Sequence, residues 1–182
     1  MKNLKTTISI LTISLIAIFT SCKKTSTTNT AASSGGSVTA SIGSVSFNAA
    51  SANISKVSNI VTVQGAQADG SSIQIQVSGL GSQYVPTAAT YNLDPNAGNN
   101  GNYVGTAVYM APVSGGTTAG KTYASGGCDA SLPRSGFVPN GSVTFTEISA
   151  TKIAGTFKFN AAQLNDCGDV KVISTGSFTK TF

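Results

Sequence analysis

The chain has 182 residues, a formal net charge of +5, only 9% charged residues, 20 glycines and no histidine. This length suits one ordinary domain with its own apolar core. The positive residues are scattered along the chain, whereas nucleic-acid-binding domains concentrate them in a patch, so we expect no nucleic-acid partner. Without histidine, the Ser-His-Asp and Cys-His arrangements of hydrolytic enzymes are excluded, and we expect no enzyme.

The first residues have the pattern of a secretory signal. A basic start is followed by an apolar run over residues 8–19 and by the small residues Thr20 and Ser21. The run is shorter than the stretch of about 20 residues that spans a bilayer, so a cleaved signal is favoured over a permanent transmembrane helix. Residues 19–22 resemble a bacterial lipobox, which implies that Cys22 is acylated and becomes the first residue after cleavage. We therefore predict a lipoprotein signal peptide over residues 1–21.

The segment after Cys22 predicts a tether. Residues 23–36 contain no side chain more apolar than alanine, and they are rich in Ser, Thr and Gly. Such a composition behaves as a flexible coil, and its length would hold a domain roughly 20 Å from the membrane. The predicted organisation is a lipidated cysteine and tether over residues 22–36 and a single β domain over residues 37–182.

The remaining sequence alternates apolar and polar residues, as strands with one buried face do. Two hairpins are predicted, one turning at Gly43-Ser44 and one at Asp69-Gly70, because these turn residues tolerate positive φ angles. Pro86 predicts that the segment after it enters an edge strand. Strands are predicted over residues 38–42, 45–47, 60–65, 73–77, 90–93, 103–110, 121–123, 141–148, 152–159, 170–173 and 176–182, and residues 126–140 are predicted to be irregular.

About ten short strands without helical periodicity predict an all-β fold. A sheet with one dry face must bury that face, which leaves two architectures open. These are an antiparallel β-sandwich and a partly closed barrel.

Of the three cysteines, Cys22 is assigned to lipid attachment, which leaves Cys128 and Cys167. In an exported chain the default expectation for two such thiols is a disulfide. The alternative is a metal site, but two thiolates without histidine do not match the common zinc patterns. We therefore expect a disulfide between Cys128 and Cys167, no metal and no cofactor.

The six carboxylates have ordinary explanations in the sequence. Asp69 lies in a predicted turn, and Glu147 lies on the predicted wet face of its strand. Asp129, Asp166 and Asp169 flank the two cysteines, so they are interpreted as solvated loop acids or, alternatively, as a calcium-binding cluster. Calcium prefers about six to eight oxygen ligands, which favours the first interpretation.

The tyrosines offer the main sign of ligand capture. Aromatic rings with a polar tip stack on sugars, but tyrosine is also a common strand residue that packs in cores and rims. Packing is the favoured interpretation. The five residues concerned are Tyr84, Tyr91, Tyr103, Tyr109 and Tyr123.

The lipobox, the tether and the strands at 40–47, 90–93, 141–148, 153–159 and 176–178 resemble Bacteroidetes lipoproteins built on a β-rich domain of unknown function. The resemblance implies an outer-membrane lipid anchor and supplies no catalytic residues. We expect a non-enzymatic envelope lipoprotein with a structural or accessory role, on either the periplasmic or the cell-surface face. The alternative is a capture module for a glycan or a protein of the envelope.

Overall fold

The computed structural model describes residues 35–95, 99–112, 120–127 and 137–182. They belong to one compact unit, Ser33–Phe182. The predicted signal peptide, Cys22 and most of the predicted tether lie outside the described residues, so these stay predictions. No helix in the described part of the chain is long and apolar enough to cross a membrane.

Eleven antiparallel strands form one sheet, which confirms the all-β prediction. Their bounds are β1 (Ser37–Ile42), β2 (Val45–Asn48), β3 (Ser51–Val57), β4 (Ile60–Ala66), β5 (Ser72–Gly79), β6 (Thr90–Asn92), β7 (Tyr103–Met110), β8 (Thr122–Ala124), β9 (Gly141–Ile148), β10 (Lys152–Gln163) and β11 (Asp166–Thr181).

The pairing order is β2-β1-β11-β10-β8-β7-β5-β4-β3. Strand β9 pairs with the same edge of β10 as β8, and β6 lies beside β9. The described strands do not close into a barrel, and the packing resembles a sandwich. The predicted position of β6 at an edge is confirmed, because its one ladder partner among the described strands is β9.

The local sequence accounts for both predicted hairpins. Gly43 and Gly70 have φ angles of 59° and 85°, which place them in the left-handed region that glycine enters without steric cost. In β4 and β5 alternate residues are buried, as the period-two pattern predicts.

Two strand assignments differ from the prediction. The sequence pattern does not predict β3 as a strand. Only Ile54 is buried among its seven residues, so the strand lacks the alternation of buried and exposed positions on which the prediction depends. The last two predicted pieces form the single sixteen-residue strand β11. A register shift interrupts its ladder near Thr175, whose φ is 47°, and this irregularity breaks the alternation that the sequence pattern follows.

One segment joins the two ends of the strand order. Residues 45–57 form β2, which pairs with β1, and then β3, which pairs with β4. The partner changes within two residues: the Ala49 amide donates to the Val38 carbonyl at 2.9 Å, and the Ala50 amide donates to the Ala66 carbonyl at 2.8 Å. The sheet therefore curls so that β1 and β4 face each other across the core.

The curl brings β1 and β4 closest at Gly65. A Cβ built on Gly65 would lie 2.8 Å from the Val38 Cβ and 3.0 Å from the Ala49 Cβ. Val38 is buried, and the inward side chains of both halves of the sheet pack around it. The core includes Phe47, Ile54, Val61, Val63, Ile73, Ile75, Val77, Tyr91, Leu93, Tyr109, Tyr123, Val143, Phe145, Ile153, Phe157, Phe159, Ile173 and Phe178.

We predict that Gly65→Ala lowers the free energy of unfolding by about 1–3 kcal/mol, because the new methyl group overpacks against Val38 and Ala49. Chemical denaturation monitored by circular dichroism measures the change. Gln64→Ala, on the opposite face of β4, is the control and should change stability by no more than about 0.5 kcal/mol. Equal stability of Gly65→Ala and the parent would contradict the close packing of β1 on β4.

Candidate functional site

The most concentrated polar cluster of the described residues is formed by Lys121, Tyr123, Asp169 and Lys171, here called the Asp169 cluster. Lys121 Nζ lies 2.9 Å from Asp169 Oδ2, and the Tyr123 hydroxyl donates to the same oxygen at 2.9 Å. Lys171 Nζ lies 3.3 Å from Asp169 Oδ1. Both carboxylate oxygens are therefore occupied by donors of this chain.

The sheet topology brings the cluster together. Tyr123 is in β8, Asp169 and Lys171 are in β11, and both strands flank the end of β10 at Gln163. Residues two apart in a strand point to the same face, so Asp169 and Lys171 lie side by side. Lys121 immediately precedes β8 and reaches the same carboxylate.

The electrostatics favour the ion pair over proton transfer. The hydrogen bond from Lys121, supported by those from Tyr123 and Lys171, lowers the pKa of Asp169 against a smaller opposing effect of burial. Burial and the Asp169 carboxylate raise the pKa of Tyr123 to about 12. The hydrogen bond to Asp169 also raises the pKa of Lys121. At neutral pH Asp169 is therefore a carboxylate, Lys121 an ammonium group and Tyr123 a protonated phenol.

The Tyr123 ring is fixed by its neighbours. Its side chain is buried, and the Tyr109 ring stacks on it with centroids 5.8 Å apart. Lys171 Nζ lies 5.3 Å from the centre of the Tyr123 ring, within the range of a cation–π contact. The ring packing holds the hydroxyl against Asp169, so the cluster ties β8 to β11 across β10.

A shallow surface pocket of about 310 Å³ lies beside the cluster. It is lined by Gly120, Lys121, Thr122, Gln163, Leu164 and Asn165. Its one charged lining group, Lys121, is already paired with Asp169. A general acid or base works best with a pKa near the operating pH, and the shifts of Asp169 and Tyr123 run away from neutrality.

The structure corrects the interpretation of Asp169 as a solvated loop acid. Asp169 lies in a strand, its side chain is 20% exposed, and it contacts two lysines and a tyrosine. The sequence contained a partial signal, since Lys171 follows Asp169 at strand spacing. It contained none for Lys121 and Tyr123, which lie more than 40 residues away along the chain.

The other predicted acids are placed as follows. Asp69 is confirmed as a turn residue: its carboxylate accepts the Ser71 amide at 2.9 Å, and its bonds to Ser71 lower its pKa. Glu147, near the end of β9, is paired with Lys152 at the start of β10 at 3.0 Å, and the hydrogen bond from Lys152 lowers its pKa. Asp166 accepts the Gly168 amide at 2.9 Å.

The alternative interpretation, a calcium-binding cluster, includes Asp129, which lies outside the described residues. Asp166 and Asp169 are both at the start of β11, but the oxygens of Asp169 are directed at lysine and tyrosine donors. In the part of the chain that the structure describes, His, Cys, Asp and Glu side chains form no group of three that could hold a metal ion.

The structure describes one of the three cysteines. Cys22 and Cys128 lie outside the described residues. Cys167 is in β11 with 3% of its surface exposed. The disulfide therefore stays a prediction.

The five tyrosines pack inward rather than presenting open faces. Tyr91, Tyr109 and Tyr123 are buried, and Tyr84 and Tyr103 are half-buried. Their rings form edge contacts, with centroids 6.1 Å apart for Tyr84 and Tyr103 and 5.1 Å apart for Tyr91 and Tyr103. The favoured interpretation of core and rim packing is confirmed.

We predict that Asp169→Asn lowers the free energy of unfolding at pH 7 by about 1–2 kcal/mol, because it weakens charge-assisted bonds around a buried phenol. The folded-state pKa of Asp169 is lowered, so its contribution is present above the unfolded-state value of about 3.9 and is lost as pH falls through the folded-state pKa. The parent and the variant should therefore converge in stability as pH falls below the unfolded-state value and through the lowered folded-state pKa of Asp169.

Denaturation curves from pH 2 to 7 measure this difference. Asp166→Asn serves as the control, since Asp166 accepts a backbone amide at an exposed position. A gap between the parent and Asp169→Asn that does not change with pH would contradict the ion-pair assignment.

Comparison with known proteins gives a family without a described activity. No curated protein and no solved structure matches the chain. The profile of a domain of unknown function, DUF6252, matches residues 34–181, which covers all eleven strands. The chain therefore belongs to the DUF6252 family.

Proposed function

We propose that this protein is a lipid-anchored envelope protein whose β domain has a structural or accessory role and performs no catalysis. The observation that carries the proposal is the junction at Cys22, where a basic start, a short apolar run and small residues precede a cysteine and a polar tether. The resemblance to Bacteroidetes lipoproteins supports an attachment to the outer membrane.

The state of the carboxylates supports a non-catalytic role. Asp69 is bound within its turn, Glu147 is paired with Lys152, and Asp169 is held by three donors. Catalytic carboxylates instead tend to have a pKa raised toward neutrality by burial. The lowered pKa of each of these three groups makes it a poor proton donor at neutral pH.

The packing of the tyrosines also supports a structural role over glycan capture. Sugar stacking needs an open ring face, and the tyrosine rings instead contact one another and the core. A capture module remains the alternative, tested by applying the protein to a glycan array and by recovering its partners from native envelopes. Saturable binding of one glycan class would replace the structural proposal.

We predict that Cys22→Ser abolishes acylation and moves the protein from the membrane to the soluble fraction or leaves it unprocessed. Stable attachment requires two or more acyl chains, since one chain gives marginal binding. Metabolic labelling with palmitate and fractionation measure the result. Cys128→Ser, which removes a thiol elsewhere, should keep the label. Labelled, membrane-bound Cys22→Ser would refute the anchor.

We further predict the disulfide between Cys128 and Cys167. Gly127, the neighbour of Cys128, follows β8, and β8 and the start of β11 flank the same end of β10. A disulfide that closes the loop between Cys128 and Cys167 stabilises the fold by roughly 4 kcal/mol in the chain-entropy model. Non-reducing digestion should yield the linked peptides, and reduction should lower Tm. Two free thiols in protein from the envelope would contradict the bond.

A further inference from the structure

The sheet divides at β10 into two arms. Along Ile153–Phe159 one side of β10 pairs with β9, which pairs with β6. At Ala162 and Gln163 the same strand pairs with β8, which pairs with β7. The arm β9–β6 and the arm β8–β7 therefore diverge from one strand, and no ladder joins β6 to β7 among the described strands. We call the line between β6 and β7 the seam.

Asn99 bridges the seam at one point. Its backbone forms a β-bridge with Tyr103 at the start of β7. Its side chain reaches across to β6, where Oδ1 accepts the Asn92 amide at 2.5 Å and Nδ2 donates to the Asn92 carbonyl at 3.0 Å. The carboxamide thus supplies the donor and the acceptor that a neighbouring strand would supply.

Ser125 bridges the seam at a second point. Its hydroxyl donates to the Leu93 carbonyl at 2.6 Å and accepts the Ala107 amide at 2.9 Å. Its own amide donates to the Ala107 carbonyl at 2.9 Å. The side chain is 1% exposed, so its loss would leave buried backbone groups without partners.

The two arms touch between these bridges. A Cβ built on Gly105 in β7 would lie 2.1 Å from the Asn92 carbonyl oxygen, so the backbones meet with no side chain between them. Among the described residues, the side chain that bonds to the Asn92 backbone from the β7 side is that of Asn99. By contrast, β6 is held to β9 by backbone bonds, including one from the Leu93 amide to the Gly141 carbonyl at 3.0 Å.

We propose that the seam is a built-in line of opening, at which the arms β9–β6 and β8–β7 separate while each keeps its own ladder, and that Asn99 and Ser125 are its two latches. Ladders are cooperative runs of bonds, whereas each latch is one side chain. Opening exposes the aromatic surface of Tyr91 and Tyr103 beneath the seam, whose ring centroids are 5.1 Å apart. This conformational device does not depend on the lipid anchor.

Hydrogen exchange of the full-length protein tests the proposal, because neighbouring amides should behave differently. The Asn92 amide bonds to the Asn99 side chain across the seam, so it should exchange through a local opening that low denaturant does not accelerate. The Leu93 amide bonds to β9, so it should exchange only on global unfolding. Single-amide mass spectrometry resolves these positions.

The latch variants should act locally. Asn99→Ala should speed exchange of the Asn92 amide at least about 10-fold relative to any change at Leu93. Ser125→Ala, which removes the bond to the Leu93 carbonyl across the seam, should speed exchange of the same Asn92 amide. Asn53→Ala, an exposed position in β3, is the control and should leave both amides unchanged.

The outcomes are distinguishable even if Ser125→Ala fails to fold, since Asn99→Ala and the parent then decide. Separate exchange behaviour of Asn92 and Leu93 in the parent, widened by Asn99→Ala, supports the seam. Equal rates and equal denaturant dependence at Asn92 and Leu93 in both proteins would overturn it.

Discussion

The contact between Val38 and Gly65 is the constraint on which the rest of the structure depends. The segment of residues 45–57 changes its pairing partner from β1 to β4 between Ala49 and Ala50. This is possible only if β1 and β4 lie close together. A side chain at position 65 would meet the Cβ atoms of Val38 and Ala49, so glycine sets the spacing. With that spacing the curled sheet buries its apolar face on itself, and a domain of one sheet acquires a core without helices in its described part.

Where the sheet divides, side chains replace the missing backbone bonds. The Asn99 carboxamide bonds to the amide and the carbonyl of Asn92. The Ser125 hydroxyl bonds to the Leu93 carbonyl and the Ala107 amide, so side chains satisfy backbone groups that face the seam. Buried backbone groups must be satisfied, and a branched sheet cannot satisfy them all with strands. The Asp169 cluster has a comparable role at the Gln163 end of β10, where it joins β8 to β11 through side chains.

These features connect the fold to the proposed role. Asp169 and Tyr123 are bound to each other, and their pKa shifts keep Asp169 as a carboxylate paired with Lys121 and Tyr123 as a neutral phenol at neutral pH. The tyrosine rings are used to fill the core and its rim. A domain whose tyrosine rings and whose Asp69, Glu147 and Asp169 carboxylates are engaged in internal contacts is well suited to the proposed structural or accessory part in the envelope, held there by the predicted anchor at Cys22.

The sequence by itself determined the all-β class, the hairpins at Gly43 and Gly70 and the edge position of β6, because turn residues, proline and period-two burial act locally. Only the tertiary structure decided that β3 is a strand, that Asp169 is paired, and that Asn99 and Ser125 bridge the seam. Each depends on partners distant along the chain, such as Tyr123 with Asp169 or Leu93 with Ser125. Periodicity carries no information about which distant strands become neighbours, since that choice is made by the packing of the whole core.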